Sequence, residues 1–243
     1  MSIESKLNKS FLILAFMFAV AIPTTETNAL TLADLFAGQS IQSGDKIFEN
    51  WTLDPNFEGS GYYDVDGNFT PINYSNIEVT AVSGTNAHGV KYTVLNDELE
   101  TVGFFDLFTI AFEFDVRQED NLAIIIDNEL ELLSYTNTDG IIIIDENHSE
   151  LDPNDGPKTV FDEFGQDSVL TDHRVFAAVS QIQNVYNTVT VVDAFGGGIA
   201  TNLDMWQQTF SQIPPPPDII PEPATALMGL LGIGVLAMRR GRN

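Results

Sequence analysis

The chain has no cysteine. That excludes disulfides, zinc–thiolate centres, cysteine nucleophiles and iron–sulfur clusters, so a folded body must be held by its core alone. Positive charge is nearly as scarce: 10 Lys and Arg stand against 35 Asp and Glu, a formal net charge of −25. Five of those ten bases, Lys6, Lys9, Arg239, Arg240 and Arg242, lie near the ends, so the stretch between is more acidic still. Such a surface repels nucleic acid and anionic headgroups, stays soluble, and gathers cations. The three histidines, His88, His148 and His173, form neither His-x-His nor His-Glu-x-x-His, so no local hydrolase metal signature exists. His88, beside Gly89, reads as a turn residue and His173 as a strand start. A Gly-x-Ser-x-Gly elbow is missing, and Gly196-Gly197-Gly198 has no lysine to cradle a phosphate. With acids this dense, two will neighbour each other by chance, so carboxylate pairs are no mark of a glycosidase. The expectation is a non-enzymatic protein.

Long apolar runs are confined to the two ends. At the start, Lys6 and Lys9 precede an apolar run at 11–22, which Pro23 breaks and Thr27-Asn28-Ala29 follows. A basic opening, a short apolar centre and a small final residue make residues 1–29 a secretory signal peptide, cleaved after Ala29. At the other end stand Pro221-Glu222-Pro223, an uncharged apolar run at 224–238 with Gly229, Gly232 and Gly234 interleaved, and the basic cluster Arg239, Arg240 and Arg242. As a helix the run would be about 22 Å long at roughly 1.5 Å per residue, short of a hydrocarbon core of about 30 Å. It spans marginally, with arginines snorkelling to the phosphates and staying cytoplasmic.

This three-part tail, residues 220–243, resembles the PEP-CTERM sorting signal of exported bacterial proteins. The resemblance implies recognition and processing by an exosortase, after the secretion machinery has exported the chain. It implies a Gram-negative cell, transient anchoring in the inner membrane through the C-terminal transmembrane segment, and a final place in the cell envelope or extracellular matrix. Exosortase systems commonly accompany exopolysaccharide production, so a polysaccharide matrix or biofilm is the implied setting. The opening from Leu30, with its Leu/Asp segment, Gly38, Gly44-Asp45-Lys46-Ile47-Phe48 and then Trp51, is similar to that of a subset of the same proteins.

Residues 30–213 form the body. Gly44-Asp45 is a turn and residues 46–53 a first strand. Gly59-Ser60-Gly61 and residues 64–68 turn the chain; Ile77, Val79 and Ala81 alternate with polar residues as a half-buried strand, and 90–95 returns. The cleanest pattern is 104–116: Phe108, Ile110, Phe112, Phe114 and Val116 face the core, while Thr109, Ala111, Glu113 and Asp115 face away. Residues 122–126, 129–135 and 141–144 read as three more strands, the last two joined at an Asp139-Gly140 hairpin turn. Asp145 and Glu146 read as gatekeepers guarding the isoleucine run against edge aggregation. Residues 175–179 with 184–192 read as a hairpin, and 206–213 as the last strand. No amphipathic helix stands out. Trp51, Tyr62, Tyr63 and Tyr74 read as core packing rather than a sugar platform. The expected fold is all-β, an antiparallel β-sandwich of jelly-roll type, followed by a proline spacer at 214–219.

Two acidic loops offer oxygen ligands for calcium. In the first, Asp152, Asn154 and Asp155 are joined by Glu163 at the twelfth position, but Gly156 falls at the fifth and not the sixth. In the second, Asp145-x-Asn147-x-Ser149 has Glu150 where a glycine is needed. Neither is an EF-hand; a looser calcium site, serving a carbohydrate-binding module, is the alternative function. A secreted hydrolase is the third.

Overall fold

The computed structural model describes residues 29–54, 60–85, 87–119, 124–151, 156–194 and 200–213. In chain order the elements are β1 (Leu30–Thr31), α1 (Leu32–Phe36), β2 (Ile41–Ser43), β3 (Lys46–Leu53), β4 (Gly61–Tyr63), β5 (Phe69–Pro71), a 3-10 turn (Tyr74–Asn76), β6 (Ile77–Ser83), β7 (Ala87–Val94), β8 (Glu100–Thr101), β9 (Leu107–Gln118), β10 (Ile124–Thr136), β11 (Gly140–Asn147), β12 (Lys158–Glu163), β13 (Thr171–Val179), β14 (Gln181–Asp193) and β15 (Thr201–Ile213). They build two antiparallel sheets that pack as a sandwich. One sheet runs β1-β6-β7-β15-β10-β13; the other runs β12-β11-β14-β9-β3-β2, with β4 also on β9.

The core follows from strand parity. On β9, Phe108, Ile110, Phe112, Phe114 and Val116 are all buried, as their alternation requires. Across from them stand Tyr92 of β7 and Trp206 and Phe210 of β15. Trp51 stacks on Phe114 at 4.3 Å and Tyr92 on Trp206 at 4.5 Å; Phe48 and Phe210 meet at 5.8 Å across the sheets. Trp51 belongs to this core, with Tyr62 and Tyr74 packed on its margin; Tyr63 is half-buried against Phe69.

Local signals were reliable where a turn required a special backbone. Gly44, at φ +59°, closes β2 on β3, and any Cβ there would collide with the His88 ring. The turn between β4 and β5 is closed by Asp64, whose carboxylate accepts from the Asn68 backbone N–H at 2.7 Å.

Five expectations are corrected. Residues 129–135 do not form a strand separate from the one before them: both belong to β10, broken only by a bulge between Ile125 and Asp127. The Asp139-Gly140 turn does not make a hairpin, because β10 and β11 lie in opposite sheets. Gly140 is not left-handed; it opens β11, where a Cβ would collide with Thr201 and the Val192 carbonyl. Nor are β13 and β14 a hairpin, since they too lie in opposite sheets. The leading segment contains a helix, α1, closed by a capping box in which Thr31 and Asp34 bond each other's backbone. His88 is a residue of β7, not of a turn.

Candidate functional site

Most of the residues that the sequence singles out fall at the margins of the described structure. Pro221, Glu222, Pro223, Arg239, Arg240 and Arg242 lie outside the described residues. So do Asp152, Asn154 and Asp155; their proposed fourth ligand, Glu163, closes β12 opposite Ile141. Among the described residues no group of three or more His, Asp and Glu is arranged to hold a metal ion. Ala29 is described, and the next residue, Leu30, already pairs with Val79. An open depression of about 610 Å³ lies between the ends of β11 and β14, lined by Asn147, His148, Ser149, Pro157, Asn184 and Tyr186 among others.

The chemistry that the sequence reading missed lies inside the sandwich. Glu146 is not a gatekeeper: β11 has β12 on one side and β14 on the other, and the Glu146 side chain is wholly buried. Parity explains it. On β11, Ile142, Ile144 and Glu146 share the inward face, and His148 continues it just past the strand. Lys158 and Val160 share that face on β12, as do Asn187, Val189 and Val191 on β14. From the other sheet come Asn128, in step with Leu130 and Leu132, and Gln208, in step with Trp206 and Phe210. Each polar residue thus occupies a core position of its strand.

They converge on one carboxylate. Glu146 Oε1 accepts from Asn128 Nδ2 at 2.8 Å and pairs with Lys158 Nζ at 3.0 Å. Glu146 Oε2 accepts from Gln208 Nε2 at 2.5 Å. Gln208 also donates to Asn187 Oδ1, and its own Oε1 accepts from Tyr92 Oη at 3.0 Å. His148 Nε2 approaches Glu146 Oε1 to 3.9 Å, and the His148 ring meets Phe176 edge-on. Burial pushes Lys158 down from the usual lysine range, opposed by Glu146. It also pushes His148 down, and Tyr92 far up. The Asn128 Oδ1 oxygen and His148 Nε2 accept or donate no hydrogen bond.

A second lysine is buried at the other end of the core. Lys46 Nζ donates to Gln212 Oε1 at 2.5 Å, an oxygen that Gln118 Nε2 shares at 3.1 Å. Burial lowers Lys46 against the pull of Asp45, which lies 3.5 Å away and is partly exposed. The body has only five bases, and two of them, Lys46 and Lys158, are fully buried. Lysine is almost never fully buried without a partner; in a chain this acidic, its scarce cations are the last groups that solubility would hide.

Comparison with known proteins identifies one feature. Residues 220–243 match the PEP-CTERM protein-sorting motif. The motif marks an exported protein, sorted through an exosortase to the cell envelope or the extracellular space. No curated protein matches the chain, and no solved structure does.

Proposed function

We propose that this chain is an exported structural protein whose β-sandwich works without catalysis at the cell envelope or in the extracellular polysaccharide matrix. The observation that carries this is the sorting motif at residues 220–243. The basic and apolar opening, read as a signal peptide cleaved after Ala29, supplies the matching export signal. In this reading the cell is Gram-negative, the secretion machinery and exosortase are the processing partners, and the apolar run at 224–238 anchors the precursor in the inner membrane only until processing. The body from Leu30 to Ile213 is a single domain, with the proline stretch as its spacer. The strand order β7-β15-β10-β13 over β9-β14-β11-β12 supports reading that domain as a jelly roll.

Intact mass of the protein recovered from its native cell tests the reading. The mature form should lack Arg239, Arg240 and Arg242; a form that still carries them overturns processing. Changing Pro221, Glu222 and Pro223 to alanine should leave the precursor in the membrane fraction.

A further inference from the structure

We propose that Lys158 and Asn128 join through their side chains, forming an intramolecular isopeptide bond across the sandwich with Glu146 as its catalytic residue. The three groups come from three strands and two sheets: Asn128 on β10, Glu146 on β11 and Lys158 on β12. Glu146 and Lys158 are directly opposite in the β11–β12 register, and Asn128 reaches them from the facing sheet. All three side chains are wholly buried. The attacking and leaving nitrogens touch the same atom: Glu146 Oε1 lies 3.0 Å from Lys158 Nζ and 2.8 Å from Asn128 Nδ2.

The reaction needs no outside reagent. Lys158 first passes a proton to Glu146 along their contact, leaving a neutral amine and a carboxylic acid. A dry interior favours that exchange because it removes two buried charges, and burial already lowers the Lys158 amine. The Nζ lone pair attacks Asn128 Cγ, and an Nζ–Cγ bond forms. Glu146 delivers its proton to Nδ2 and takes one from Nζ. The Cγ–Nδ2 bond breaks and neutral ammonia leaves; the proton that Lys158 first gave up stays on Glu146, which ends as the uncharged acid. One amine and one primary amide become one secondary amide and one ammonia, with no change of oxidation state. Holding amine, amide and proton carrier in contact supplies the proximity such a step requires.

A purely structural network fits the cluster less well. Buried polar networks are ordinarily complete. Here Asn128 Oδ1 accepts no hydrogen bond, and the three-donor Lys158 ammonium makes none beyond its 3.0 Å contact with one Glu146 oxygen. Bond formation replaces that ammonium with an amide N–H, which needs one acceptor rather than three. Gln208, the other amide on Glu146, is differently placed: it contacts the opposite carboxylate oxygen and its carbonyl is held by Tyr92. Lys46 touches a glutamine oxygen, and its near carboxylate, Asp45, is partly exposed. The bond would tie the two sheets covalently in a chain that has no cysteine to do so.

Tandem mass spectrometry of a proteolytic digest of the purified full-length protein tests this directly. We expect a branched peptide joining Lys158 to Asn128, lighter than its two parts by one ammonia. Lys158→Arg, which keeps the charge but cannot be acylated, and Glu146→Gln should both give the two peptides separately and at full mass. Recovery of unmodified Lys158 and Asn128 peptides from the folded wild-type protein overturns the proposal, whatever the variants do. Ammonia loss that maps to Gln208, Lys46 or any other residue overturns it too.

Discussion

The interior of this sandwich has two regions that are stabilised by different physics. Around Trp51, Phe112, Phe114, Tyr92 and Trp206 the sheets meet through stacked and tilted rings. There each contact adds dispersion and burial, and the loss of one leaves its neighbours intact. Around Glu146 the sheets meet through charge and hydrogen bonds, and each group is tolerable only while its partners are present. Tyr92 belongs to both, its ring stacked on Trp206 and its hydroxyl bonded to Gln208. The aromatic region should therefore forgive conservative change, and the polar region should not.

The largest effects sharpen that contrast. Phe112→Ala should cost about 3–5 kcal/mol by opening a cavity, and Phe112→Leu should restore most of it. Lys158→Met, close in size but without an amine, should cost about 2–5 kcal/mol, because it removes the proposed covalent link between the sheets. Chemical denaturation at neutral pH reads both. A cost below about 1 kcal/mol for Lys158→Met would show that the polar region is as forgiving as the aromatic one.

A smaller effect should appear on acidification. Burial lowers His148 and His88 from the ordinary 6.5. The folded state therefore takes up their protons less readily than the unfolded chain does. The stability concerned is fully present above about 6.5 and is lost as pH falls through that value toward the lower folded values. The melting temperature should begin to drop there, and His148→Gln should flatten the drop. Asp34 and Asp64 lie below the ordinary 3.8 through hydrogen bonds to Thr31 and Asn68, so they contribute loss only in more acid solution. A drop that begins only near 3.8 would point to carboxylates and leave the buried histidines without influence.

The smallest effect concerns the acidic surface. Calcium, magnesium and sodium at matched ionic strength should raise the melting temperature alike, as screening alone requires. A larger rise with calcium, lost in Asp152→Ala/Asp155→Ala, would instead reveal a calcium site and revive the carbohydrate-binding alternative.

Much of the fold was legible because period two survives in the strands. The reading of residues 46–53 coincides with β3, and the alternation at 104–116 identified the buried face of β9. The polar centre carried the same signal, unread. Continuing the parity of Ile142 and Ile144 by one step places Glu146 inside, and Val160 does the same for Lys158. A charged residue at the end of an apolar alternation looks like a strand terminus, which is why Glu146 read as a guard. Asn128 was harder: it lies three residues from buried Ile125, an odd step, and only the bulge between them returns it to the inner face.

By itself the sequence determined the strand class, the scarcity of cations, the absence of any thiol and the sorting grammar of the tail. These are properties of composition and of near neighbours along the chain. Tertiary structure alone decided that β10 and β11, and again β13 and β14, turn across the sandwich rather than into hairpins. It alone brought Asn128, Lys158 and Gln208 onto the Glu146 carboxylate. The physical reason is that a turn residue specifies reversal of the chain but not the partner of the strand that follows. That partner is chosen by which apolar faces can be buried together, a property of the two sheets at once.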